Sequence, residues 1–230
     1  MKKYVTPELE EILAKTEEVM LEESQEADLN GTDLTGWVGF VDPASGVPAS
    51  EVYSVKDGNI HVAGQPFGYL RTAEKYGDYK LHIEWRWIGE GTNSGIFHRV
   101  QDGDKIWPNA IECQLCSGKA GDFVMLGGAK IEEVECVGEY PVKDRAGDYE
   151  NPVGEWNTEE IYAKGDYIRI TVNGIVITEG NIREASENGT KTRDGLQHPG
   201  LLNKKGYIGF LGHGSELWIR NVRIKSLDKK

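Results

Sequence analysis

The stretch Asn109–Ser117, NAIECQLCS, holds two candidate chemistries. Cys113-x-x-Cys116 has the spacing of a zinc knuckle or a redox pair. Glu112-x-Gln114 sets a carboxylate and an amide two residues apart. The polar positions Glu112, Gln114 and Cys116 alternate with Ile111, Cys113 and Leu115, which is the period of a strand. On a strand, residues three apart point to opposite faces, so the two thiols cannot chelate one ion. A zinc site would also need a second pair, and Cys136 is the only other cysteine. A thioredoxin-type pair belongs at a helix N-terminus in βαβ surroundings, which the pattern here does not offer. The same alternation sends Ile111, Cys113 and Leu115 to the core and turns Glu112 and Gln114 outward, with Cys116 on their face.

Other polar residues in strand-like segments extend this pair. They are Asn93, His98 and Arg99 in TNSGIFHRV, Glu155 and Asn157 in GEWNT, and His213 in FLGHG. Each has a structural use of its own: a hydrogen-bonded core histidine, an arginine paired with a sheet carboxylate, an asparagine capping a turn. A common sheet face would make them a site instead. Conventional glycoside cleavage needs two carboxylates about 5–5.5 Å apart for retention, or about 6.5–9.5 Å for inversion. The Glu-x-Asp-x-x-Glu signature that supplies them in sandwich glucanases is absent, because Gln114 stands where it has Asp. There is no Gly-x-Ser-x-Gly elbow and no glycine-rich phosphate loop leading into a helix.

The elements that must position these residues are strands. YKLHIEWRW places Leu81, Ile83, Trp85 and Trp87 on one face and His82, Glu84 and Arg86 on the other. Asp57-Gly58, Gly165-Asp166 and Asn173-Gly174 mark hairpin turns. About a dozen strands at regular spacing predict an all-β fold, a sandwich of two antiparallel sheets. Two long connections, Ser117–Asn151 and Gly180–Lys205, are expected to wall a site. Before them, Thr6-Pro7 caps a short amphipathic helix carrying Leu9, Ile12, Leu13, Val19 and Met20. Residues 1–27 are therefore expected to form a helical extension and linker, and 28–230 the sandwich domain.

Over 230 residues, 38 acidic side chains against 26 basic ones give a net charge of −12. That balance argues against a nucleic-acid partner and is compatible with an uncharged sugar. The N-terminus has a lysine pair but no apolar signal-peptide core, and no run approaches a membrane span, so a soluble chain is expected. The compartment, cytoplasmic or beyond the membrane after loss of a leader, stays open, as does the oligomeric state.

The segments LNGTDLTGW, GYLRTAEKYGDYKLHIEWRW, GTNSGIFHRV, IECQL, GDFVMLGG, GEWNTEEIYAKGDYIRITVNGIVI and YIGFLGHGSELWIRNVRIKSL occur in the order of a known family. From about Asp28 to Leu227 the chain resembles the 3-keto-disaccharide hydrolase family. The resemblance implies a concanavalin A-like jelly roll acting on carbohydrate, an oxidised disaccharide or glycoside. It also implies a chemistry that does without paired glycosidase carboxylates. A ketone at C3 acidifies the C2 proton, so a base can start an elimination that expels the C1 substituent, and water then adds. For that chemistry Glu112 is the first choice as base and His98 the second. Arg99, or a bound divalent cation, would stabilise the enolate oxygen. His213 or Glu155 would protonate the leaving group, and Asn93, Gln114, Asn157, Arg71 and Trp107 would bind substrate. The chain departs from the pattern at Ser117, where many relatives have Asp, and at Phe210–Gly214, where many have Leu-Gln-x-x-Gly. A non-catalytic lectin-like module and a conventional glycoside hydrolase are the alternative readings.

Overall fold

Period-two alternation and turn chemistry fold the chain into strands. The computed structural model describes residues 31–127, 149–181 and 204–228, and among these thirteen strands form two sheets. The first sheet orders β1 (Trp37–Val41), β4 (Gly68–Thr72), β12 (Tyr207–Gly212), β6 (Gly95–Val100), β7 (Asn109–Gln114) and β8 (Phe123–Gly127). The second orders β11 (Ile175–Asn181), β10 (Tyr167–Val172), β9 (Asn157–Lys164), β5 (Tyr79–Trp87), β13 (Leu217–Ser226), β3 (Asn59–Val62) and β2 (Tyr53–Lys56). Neighbouring strands pair antiparallel throughout. One helical turn, Ala49–Val52, precedes β2. The helix expected within residues 1–27 lies outside the described residues.

The turns form where their residues demand. Asp57 and Gly58 have φ of 51° and 76°, and Asn173 and Gly174 have 48° and 79°. Two successive left-handed residues match the right-handed twist of the flanking strands, which is why Asx-Gly closes both hairpins. Leu81, Ile83, Trp85 and Trp87 face the other sheet, where Ile96, Ile111, Cys113 and Phe210 meet them in the main core. Each such side chain contributes about 1.5–3 kcal/mol of burial free energy.

Two features depart from simple alternation. The connection after Ser117 contains β8, which pairs with β7. Its run FVMLG is short and unbroken by polar residues, so it carries no period-two signal. The other departure is a bulge in β6. Gly209 lies opposite Phe97 but Tyr207 lies opposite Val100, so one residue of β12 faces both His98 and Arg99. Arg99 takes the extra step with φ 54°. Gly206 makes room for it, since a Cβ there would sit 2.4 Å from the Arg99 carbonyl carbon.

Candidate active site

The outer face of the first sheet carries a second buried cluster, Tyr69, Phe97, Val100, Ala110 and Leu211, flanked by Phe40, Phe67, Trp107 and Tyr207. A sheet face turned away from the core is buried only if chain folds back over it. The loop between β6 and β7 does so. Asp104 accepts Arg71 Nε at 2.8 Å and Nη2 at 3.0 Å, and the Tyr69 hydroxyl at 2.9 Å. Arg71 in turn lies 4.0 Å over the Tyr207 ring. Hydrogen bonds from Arg71 hold the Asp104 carboxyl below the usual carboxylate range. Burial first, and then Asp104, push the Tyr69 phenol up, so it stays a donor.

Glu112 sits on this face opposite Phe97, and Gln114 opposite Gly95. The Glu112 carboxyl leans back over Gly95, where an added Cβ would lie 1.9 Å from Oε1. The glycine thus leaves the space that the carboxylate fills, and Glu112 is only 1% exposed. Gln114 Oε1 accepts the Cys116 amide at 3.0 Å. That leaves the Nε2 hydrogens as the group Gln114 offers a ligand.

One pleat along β6, about 7 Å from Gly95, Asn93 Nδ2 meets His213 Nδ1 at 3.0 Å. With the Asn93 amide so assigned, His213 carries its proton on Nε2. Thr92 and Ser215 lock the two loops together, the Ser215 amide donating to Thr92 Oγ1 at 2.8 Å. Rings enclose His213, with Phe67 at 5.4 Å and Trp107 at 5.8 Å, and those two rings are 4.5 Å apart. A carboxylate, an amide and an imidazole N–H thus converge on one face beside an aromatic wall. That set can take up a proton at one point and deliver one at another.

The structure gathers Glu112, Gln114, Asn93, His213 and Trp107, and separates the other candidates from them. Arg71 shares the face but is three strands from Glu112 and engaged by Asp104. His98 lies opposite Ile111 on the core side, its Nδ1 2.6 Å from the Tyr79 hydroxyl. Burial first, with Arg99 adding to it, pushes that imidazole well below its ordinary range and keeps it neutral. The bulge carries Arg99 off the Glu112 face to the end of the sandwich, where it donates to the carbonyls of Gly77 and Gly165. Asn157 opens β9 of the second sheet, and Glu155 lies in the turn before it. Asn157 is buried and its Oδ1 accepts from the Asn151 amide and Asn173 Nδ2, while Glu155 is exposed. The expectation that His98, Arg99, Asn157 and Glu155 line the Glu112 face is therefore corrected: two point to the core or its end, Asn157 lies on the other sheet and Glu155 in the exposed turn before it.

The thiols also part: Cys113 is in the core, and Cys116 falls in the turn after β7 rather than on the Glu112 strand. Among the described residues no three His, Cys, Asp or Glu side chains are placed to hold a metal ion. Sequence reasoning passed over Gly95, Phe67 and Asp104. Only Gly95 had a signal, a lone glycine inside a strand pattern. Phe67 and Asp104 sit outside any periodic segment.

A second buried carboxyl lies within electrostatic reach of Glu112. Glu159 on β9 faces inward opposite Ile83 and Val172, fully buried, and neither oxygen has a hydrogen-bond partner among the described residues. Burial, then the charges of Glu150 and Glu112, push it well above the usual carboxylate range.

A 3-keto-disaccharide hydrolase of Bacteroides thetaiotaomicron is 24% identical to this chain over 230 positions, covering 86% of this chain and 77% of the relative. A Parabacteroides distasonis structure described as a glycosyl hydrolase superposes with a TM-score of 0.62 at 26% identity, over 89% of this chain and 100% of that one. The catalytic domain of an endo-1,3-beta-glucanase (laminarinase) from Thermotoga petrophila gives 0.56 at 12% identity, over 89% and 98%, a likeness of fold: the jelly roll of the glucanases. The model of the 3-keto-alpha-glucoside-1,2-lyase-like domain matches residues 25–225. Matched along most of its length, the chain belongs to the 3-keto-alpha-glucoside-1,2-lyase-like domain family.

Proposed function

We propose that this protein is a carbohydrate-cleaving enzyme that opens 3-keto-glycosides, with Glu112 as the base. The observation that carries the reading is the Glu112 carboxylate, shielded from water on the outer sheet face and seated over Gly95 beside the Asn93–His213 pair. Glu112 takes the C2 proton, and the electron pair left behind forms an enolate with the C3 carbonyl. Collapse of the enolate breaks the bond between C1 and its substituent, and His213 Nε2–H protonates the departing oxygen, leaving an imidazolate that the Asn93 amide stabilises at Nδ1. Gln114 Nε2–H holds the enolate oxygen in this reading, the task that Arg99 cannot perform from the end of the sandwich. Water then adds across C1–C2: its hydroxyl goes to C1, Glu112 returns its proton to C2, and the remaining water proton restores His213. The net result is hydrolysis. Phe67 and Trp107 supply the apolar wall against which a pyranose ring stacks.

The test is a matched pair, a 3-keto-disaccharide and its unoxidised parent, followed by release of free sugar with and without a chelator. Turnover of the keto-sugar alone is expected. The Glu112→Gln variant should lose about 10²–10⁴-fold in kcat, the usual worth of a positioned base. Equal cleavage of both sugars would replace the elimination route with conventional glycoside hydrolysis. Binding of intact glycan with no turnover of any keto-sugar would make the chain a lectin-like module.

A further inference from the structure

The outer face of the second sheet, remote from Glu112, has a composition at odds with the rest of the chain. Register lines up Lys225 (β13), Lys80 (β5), Tyr162 (β9), Arg169 (β10) and Glu179 (β11) as one row across five strands. The next row is Arg223, His82, Glu160 and Thr171. Four lysines and arginines thus meet two glutamates on a protein whose net charge is −12. Lys80 and Lys225 stand directly opposite each other, a pairing that costs stability. Lys80 is held below the ordinary lysine range by burial, then by Lys225 and Arg169. Glu179 is engaged by the Tyr167 hydroxyl and Glu160 by His82.

The middle of the row is hollow. A shallow depression is lined by Lys80, Glu160, Tyr162, Arg169 and Thr171 over Leu81 and Ile161. The Tyr162 ring lies between the two cations, with Lys80 Nζ at 5.8 Å and the Arg169 guanidinium at 5.7 Å from its centre. A ring to stack on, flanked by a point cation and a planar fork, matches a sugar that bears a carboxylate. Glu160 and Thr171 add acceptors for hydroxyl groups.

We propose that this face binds an acidic polysaccharide, a chain containing uronate residues, at a site separate from the candidate active site. Tyr162 stacks on a sugar ring while Arg169 and Lys80 take its carboxylate. The choice of a polysaccharide over another polyanion rests on the carbohydrate-acting reading above. The binding itself does not depend on catalysis.

The experiment is affinity electrophoresis of the full chain through gels containing polygalacturonate, neutral dextran or single-stranded DNA, at low salt and again above about 0.3 M, where charges are screened. Retardation by polygalacturonate alone, lost at high salt, is expected. Lys80→Ala with Arg169→Ala should weaken it about tenfold or more. Lys80→Glu on its own, at a half-exposed position, should act in the same direction. Release of sugar from a soluble 3-keto-disaccharide should be unchanged in these variants, so a failure of the catalytic reading leaves the retardation result standing. Absence of retardation, retardation indifferent to the variants, or equally strong retention by DNA would each overturn the proposal.

Discussion

Glu112 and Gly95 act as one unit, because the carboxylate occupies the space where any other side chain at 95 would begin. Gly95→Ala therefore must push the carboxyl aside while leaving the core untouched. We expect kcat on a 3-keto-glycoside to fall at least about 10²-fold, since a displacement near 1 Å is enough for that loss. The melting curve should move far less than it would for a core deletion. A normal kcat in the Gly95→Ala variant would remove Glu112 from the mechanism. Glu159 tells a different story at the same scale. Its folded-state value lies above that of the unfolded chain, so its protonated form is the one the fold accommodates. Its contribution to stability is complete below the unfolded carboxylate value, about 4.3, and is lost as pH rises toward the folded value. The unfolding free energy from urea titration should accordingly decline as pH rises above the unfolded carboxylate value, with a limiting slope near 1.4 kcal/mol per pH unit. Glu159→Gln should flatten that decline; a slope identical to wild type would assign the effect to other groups.

Elements hold the site through two polar anchors. The β6–β7 loop is tied to the sheet by Asp104, which receives two bonds from Arg71 and one from Tyr69. Asp104→Ala should cost about 1–2 kcal/mol, discounted for its partial exposure. It should also speed proteolysis between Gln101 and Pro108 and raise KM through loss of the Trp107 wall. Unchanged loop proteolysis would mean that Trp107 and Phe67 hold the loop unaided. The β6 bulge is the second anchor. Arg99 spans from the first sheet to the carbonyls of Gly77, in the bend before β5, and Gly165, in the β9–β10 turn, reaching both with its fork. Lysine cannot reproduce that geometry. Arg99→Lys should destabilise by about 3 kcal/mol in urea unfolding while kcat of the folded fraction stays near wild type. A selective loss of kcat at full stability would return Arg99 to the chemistry.

At the scale of the whole molecule, the two sheets divide the work. The first turns outward a covered, aromatic-walled face that carries the buried Glu112 carboxylate. The second turns outward a cation-rich strip, and the Arg86 guanidinium lies 4.7 Å from Trp156 and 4.9 Å from Trp218 on that same face. Neutralising the strip should leave turnover of small substrates intact, because the packed core separates it from Glu112.

Local pattern was enough for much of this. The face of each long strand, the hairpins at Asp57-Gly58 and Asn173-Gly174, the burial of Cys113 and the outward turn of Glu112 all follow from side-chain alternation and from the φ that turns require. Alternation reads one strand at a time. Which sheet a strand joins is decided by long-range pairing, so nothing in GEWNT announced that Asn157 lies on the sheet opposite Glu112. A bulge inserts one residue and shifts every face beyond it, and TNSGIFHRV carries no mark of the extra step at Arg99. Alternation and turn chemistry place the strands, their faces and the carboxylate, whereas which polar residues meet that carboxylate is settled by strand pairing and register across the two sheets.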